Sequence, residues 1–191
     1  MFHYEDQITL SEGLLQYLMH YNLGDGGYTD RFFKINFFWK ITLMLPNISG
    51  RVNAVKFHDL HHVLTEYGTG LCGEAEIGAW EIASGCGKYW AAWLLNFGSI
   101  TYGIFLFPKA VFKAFIRGRH CGNLYHGKDY ERILDTSVGD MRNELHIGRR
   151  QPTARATDIL VLIFWVLLAL LYIAVAVFAG ISIIKYLLKI F

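Results

Sequence analysis

Two imidazoles and two carboxylates within seventeen residues, His58, Asp59, His62 and Glu74, are the side chains whose types and spacing suit a divalent metal. They lie in FHDLHHVLTEYGTGLCGEAEIGAWE, residues 57 to 81. On a helix, His58 and His62 stand one turn apart on the same face, with Asp59 three residues from His62. Adjacent His58 and Asp59 point about 100° apart, so Asp59 is either a direct ligand or an outer partner of a histidine, and Glu66 can replace it. A His-rich helix face is also what a solvated surface looks like, and the spacing alone leaves that reading open. Mixed nitrogen and oxygen donors suit zinc first, with manganese and iron fitting as well.

The elements that must position these groups are helical. Leu60, Val63, Leu64 and Tyr67 follow the spacing of a buried stripe, which puts His58 and His62 roughly opposite its centre, on a separate ligand face. Gly68, Gly70 and Gly73 predict a break, and a second helix starting near Glu74 would return this carboxylate to the histidines.

The pattern H-D-x-x-H, eleven residues, then Glu resembles the coenzyme Q (ubiquinone) biosynthesis protein four family, the Coq-four family. Leu45-Pro46 looks like its Leu-Pro element, and Glu81 falls where the family places an acidic residue, here expected as an outer partner of the site. RGRHCGNLYHGKDYERILDTSVGDMRNELHI, residues 117 to 147, looks like the family's carboxy-terminal Arg-Gly-Arg segment. The resemblance spans most of residues 40 to 148. The spacer between Leu45-Pro46 and His58 is shorter than in the ubiquinone proteins, and the long apolar tail is not part of the pattern; both bear on the substrate more than on the metal.

Composition points to lipid. Of 191 residues, 53% are hydrophobic and 16% aromatic, more than a soluble domain of this size requires. Residues 159 to 184 carry no charge over 26 positions, which predicts a transmembrane helix, with a re-entrant turn near Gly180 as the alternative. Arg149, Arg150 and Arg155 precede it, while Lys185 and Lys189 follow, a bias that keeps the preceding domain cytoplasmic. A second uncharged run, Tyr89 to Phe107, is diluted by Asn96, Gly98, Ser99, Thr101 and Gly103, and reads either as a membrane span or as a buried helix. In the family the corresponding helix is expected to line a pocket for a prenyl tail, with Gly98, Ser99 and Gly103 letting the chain approach. Lys109, Lys113, Arg117 and Arg119 then alternate with apolar residues, as in a helix at a membrane surface, suited to phosphate or anionic headgroups. The aromatic cluster Phe32, Phe33, Phe37, Phe38 and Trp39 reads as core or as the mouth of an apolar tunnel, after a loop at residues 23 to 29.

No strand pattern stands out, so the expected fold is all-α: a helical domain over residues 1 to 150 with an apolar lipid pocket, and a transmembrane anchor over 157 to 191. Residues 1 to 12 carry Glu5, Asp6 and Glu12 without the apolar core of a secretory signal. Three cysteines without a CxxC pair fit a reducing compartment, and a net charge of +2 argues against nucleic acid. His58, His61 and His62 also spell the H-x-x-H-H box of membrane di-iron enzymes, but the other histidines, His3, His20, His120, His126 and His146, are scattered singly, which excludes that class.

The resemblance implies a membrane-associated, metal-dependent protein acting on a prenylated aromatic lipid in quinone biosynthesis, as a lyase that removes a ring carboxylate. The non-enzymatic alternative is a lipid-binding scaffold that organises other quinone-biosynthesis enzymes. A homo-oligomer is compatible with either.

Overall fold

Helix formation begins at a capping box. The Thr9 hydroxyl accepts from the Glu12 N–H and the Glu12 carboxylate accepts from the Thr9 N–H, which starts α1, Leu10–His20. The computed structural model describes residues 2–37, 41–148 and 150–190. It continues with strands β1, Phe32–Phe37, and β2, Ile41–Pro46, then helices α2, Ser49–Thr65; α3, Leu71–Ser84; α4, Trp90–Leu106; α5, Pro108–Arg119; α6, Tyr130–Ile133; α7, Val138–Glu144; and α8, Ala156–Ile190.

The protein is mostly helical, as the composition predicts, with one departure. β1 and β2 form an antiparallel hairpin in which Phe33 pairs with Leu45, Ile35 with Leu43 and Phe37 with Ile41, while Lys34 meets Met44 and Asn36 meets Thr42. A period of two is present in both segments, but the aromatic density of the first obscures it in the sequence. Phe38 and Trp39 of the aromatic cluster, and Arg149, lie outside the described residues.

The core is built around α3, which packs against both α4 and α5. Small residues set the spacing. A Cβ added to Gly103 on α4 would sit 2.7 Å from the Cβ of Ala75, and one added to Gly78 on α3 would sit 2.8 Å from that of Ser99. Trp80 is fully buried on α3, and its indole N–H donates to the Cys121 sulfur at 3.1 Å. The inner face of α4, with Ala91, Ala92, Asn96, Ile100 and Gly103, is buried, whereas Trp90, Leu94, Phe105 and Leu106 are exposed.

The C-terminal end of α2 is inside the protein, so its free carbonyls need donors. Arg142 supplies them: its guanidinium donates to the carbonyls of Leu64 at 3.0 Å, Val63 at 3.1 Å and Tyr4 at 3.2 Å, and pairs with Glu66 and Asp6 at 2.7 Å each. Arg117 donates to the Thr65 carbonyl at 3.0 Å. Glu66 closes the helix in a left-handed conformation, φ 64°. The second helix starts at Leu71, three residues earlier than the glycines suggest, and Gly73 lies inside it.

Among the described residues, one helix is long and apolar enough to cross a membrane. It covers Ala156–Ser182, and its most apolar window has a mean hydropathy of 3.0 with 6% buried in the protein. Arg155 precedes the helix, and the Asp158 carboxylate accepts from its N–H at 3.0 Å, while also pairing with His120 at 2.9 Å and Arg119 at 3.4 Å. Farther along, Trp165 stacks on Trp93 and Tyr172 meets the edge of Phe97, which ties α8 to α4. The helix runs through Gly180 without a break, so the re-entrant turn does not form.

Two glycines of α4 separate packing from propensity. Gly103→Ala should lose about 1–3 kcal/mol by overpacking against Ala75. Gly98 has nothing within 4 Å of an added Cβ, so Gly98→Ala should be neutral or gain up to about 1 kcal/mol. Thermal melts of the two variants in detergent check the contrast.

Candidate metal centre

His58 and His62 come from adjacent turns of α2, and Glu74 from the first turn of α3. The two Nε2 atoms face each other at 3.2 Å, and the Glu74 oxygens lie 3.6 Å from each, one per histidine. These three are the group of donors, among the described residues, close enough together to hold one metal ion. His62 is buried, His58 is 20% exposed at its side chain and Glu74 33%, so the cluster has one open edge, on the Glu74 side.

Hydrogen bonds at the far side of each ring assign the protons. The His62 Nδ1 lies 2.9 Å from the Tyr67 carbonyl, which can only accept, so Nδ1 carries the hydrogen and Nε2 presents a lone pair. The His58 Nδ1 donates to Glu81 at 3.0 Å, so its neutral ring also bares Nε2, whereas its charged ring donates from Nε2 to His62. With both rings neutral these lone pairs would repel across 3.2 Å, so a cation, either the proton of His58 or a metal ion, belongs between them. A tetrahedral zinc with nitrogen bonds of about 2.0–2.1 Å would separate such nitrogens by about 3.3–3.4 Å. The donor set and its spacing therefore fit a metal, and a shared proton competes for the same place.

Glu81 is the anchor beneath the site. It is fully buried and takes four donors: His58 at 3.0 Å and His61 at 2.6 Å on one oxygen, Tyr125 at 3.0 Å and the Asn96 amide on the other. Burial works to raise its pKa, but His58 and His61 outweigh this and hold it far below the usual carboxylate range. His61 has its other nitrogen on the Leu124 N–H at 3.0 Å and is a buried strut, its pKa lowered by burial. Burial likewise lowers His62 to about 4, with the charge of His58 adding to the effect. On His58 burial opposes the charge, yet Glu81 and Glu74 win and raise its pKa well above 6.5.

The outer partners expected from the sequence divide. Glu81 touches His58, whereas Glu66 turns away to Arg142 and to His3, at 2.6 Å, and takes no part in the cluster. Its left-handed backbone at the end of α2 is the reason, because the chain has left the helix face that carries the histidines. Asp59 stands outside the three-donor group and accepts from the Tyr28 hydroxyl at 2.5 Å, and burial pushes its pKa up to about 6. The ligand face is not separate from the packing face in the sense of being open: Tyr17 of α1 stacks on His62 with ring centroids 5.3 Å apart, and Tyr28 covers Asp59.

Gly98, Ser99 and Gly103 do not converge on one lipid pocket. Gly103 is filled against Ala75 and Val111, Ser99 meets Gly78, and Gly98 faces open space. Residues 98 and 103 are five apart, about 140° around the helix, so one packs inward while the other faces out. The sequence reading missed Asn96 and Tyr125 as partners of Glu81. The available signal was the amide of Asn96 in an otherwise apolar helix, since a buried amide requires a partner.

No family model, curated protein or solved structure matches this chain.

Metal content after purification should fall steeply in His62→Ala and Glu74→Ala. Glu81→Gln should weaken zinc binding about 10–100-fold by releasing the His58 ring, with Glu66→Gln near wild type. Because the raised pKa of His58 means that an incoming metal displaces a proton, zinc affinity should rise about tenfold per pH unit between about pH 6 and pH 7. Competition titrations against a chelator measure both effects, and a flat pH profile would count against direct ligation by His58.

Proposed function

We propose that this chain is a membrane-anchored metalloprotein of prenylquinone biosynthesis, which holds one divalent cation on His58, His62 and Glu74 and removes a ring carboxylate from a prenylated aromatic lipid. The observation that carries the reading is the pair of Nε2 atoms 3.2 Å apart, each ring fixed by a hydrogen bond at Nδ1 and both faced by Glu74. Zinc, manganese and iron all suit this donor set. The ring chemistry rests on the resemblance of the H-D-x-x-H and Arg-Gly-Arg segments to the Coq-four family.

Lipid access has its own support. Tyr102 of α4 donates to the Leu71 carbonyl at 3.1 Å, one turn before Glu74, which brings α4 to the open edge of the cluster. Leu71, Phe105 and Leu106 are exposed there, and α8 lies along the same helix. A lipid could reach the site from the bilayer across this apolar surface without the pocket expected at Gly98. The metal, when bound, supplies a Lewis acid for the carboxylate or phenol of the ring. Loss of carbon dioxide leaves the ring carbon short of one proton, and Asp59, with its pKa near 6 and its bond to Tyr28, is a group that can hold it. With α8 crossing the membrane once, the arginines before it keep the metal domain on the cytoplasmic side.

The test is release of labelled carbon dioxide from a prenylated 4-hydroxybenzoate carrying the label in its carboxylate, using full-length protein loaded in turn with zinc, manganese and iron. Release should depend on metal and fall at least about 100-fold in Glu74→Ala. Stoichiometric lipid binding with no release under any metal would instead support the scaffold that organises other enzymes. Reporters at residues 1 and 191 should read out on opposite sides of the membrane, and same-side readout would overturn the single crossing.

A further inference from the structure

We infer that a groove between α5 and residues 151 to 154 holds one anionic phospholipid, with its phosphate between Lys109 and Lys113 and an acyl chain along Phe112. The groove has a volume of about 430 Å³ and is walled chiefly by Lys109, Phe112, Lys113, Ile116, Pro152 and Ala154. The two lysines are exposed one turn apart on α5, with Phe112 between them at 40% exposure and Ile116 buried. Gln151 pins the far wall by donating to the Lys113 carbonyl at 2.9 Å. Among the described residues no carboxylate lines the groove; Glu76 on α3 is close enough to interact with Lys113 but is not part of the wall.

Position and charge identify the occupant. The groove ends at Ala154 and α8 begins at Ala156, where Asp158 is pinned to Arg119 and His120 at the end of α5. If α8 is the membrane anchor, on which this inference rests, the groove lies where headgroups meet acyl chains. Two ammonium groups above an apolar floor match an anionic headgroup with its chain attached. A soluble phosphate would gain nothing from Phe112, and a zwitterionic lipid would bring its own cation towards the lysines.

Full-length protein in neutral detergent, titrated with dihexanoyl phosphatidylglycerol, dihexanoyl phosphatidylcholine and glycerol 3-phosphate under native mass spectrometry, tests this. One phosphatidylglycerol should bind, at least about tenfold more tightly than either other probe. The double variant K109Q/K113Q should lose about fivefold per lysine while keeping its metal. Equal binding of the two lipids, unchanged binding by the double variant, or glycerol 3-phosphate binding as well as the lipid would overturn the inference. Carbonate extraction of membranes reports on α8 separately: extractable protein with a lysine-dependent lipid preference would refute the anchor and leave the groove standing.

Discussion

The buried carboxylate of Glu81 is the interaction on which the rest of this structure depends. An ionised carboxylate without water costs several kcal/mol unless its lone pairs are met. Here they are met by donors from three other parts of the chain: α2 through His58 and His61, α4 through Asn96, and the segment after α5 through Tyr125. The same four bonds that make the charge tolerable hold α2, α3, α4 and that segment in one arrangement. They also decide which nitrogen of His58 is bare. Stability and the orientation of the candidate ligands therefore share one group, and the histidine pair cannot be understood apart from the charge beneath it.

The last turn of α2 is held by arginines. Arg142 and Arg117 close the carbonyls of Val63, Leu64 and Thr65, and Glu66 neutralises part of that charge while ending the helix. These residues lie far from α2 in the sequence, one at the end of α5 and one on α7. The segment from Arg117 to Ile147 thus contributes structure to α2 and no donor to the three-residue cluster. A rigid α2 matters because His58 and His62 must stay one turn apart with their rings nearly perpendicular, 88° between planes.

Around this buried framework the surface is unusually apolar in one direction. The outer face of α4, the groove beside α5 and α8 from Ile159 to Ile181 present large hydrophobic side chains on neighbouring elements. A patch of this size is a liability in water and the expected surface in lipid. Glu74, the most exposed of the three donors, stands one turn from Leu71 at its edge, so the candidate metal site lies beside the apolar surface and not across the protein from it.

What the sequence determined by itself was local. The four-residue spacing of His58 and His62 puts two imidazoles on one helix face, the uncharged run after Asp158 makes a helix of membrane-crossing length, and the scarcity of proline leaves the chain mostly helical. Each follows from helix geometry or transfer free energy, which act within a few turns. The hairpin escaped the sequence reading, because the neighbouring aromatic residues blur the alternation of Phe33, Ile35 and Phe37 with Lys34 and Asn36. What only the tertiary structure decided concerned partners brought together across long loops. Glu66 and Glu81 are both glutamates near the motif, yet one caps a helix and the other orients a ligand, because backbone direction at the end of α2 separates them. Gly98 and Gly103 look alike as small residues on an apolar helix, but the packing of α3 fills one position and leaves the other open. Asn96 and Tyr125 have no ligand-like spacing to announce them. Their importance arises from the requirement that a buried charge be met from every side, and that requirement applies only once the chain has folded around it.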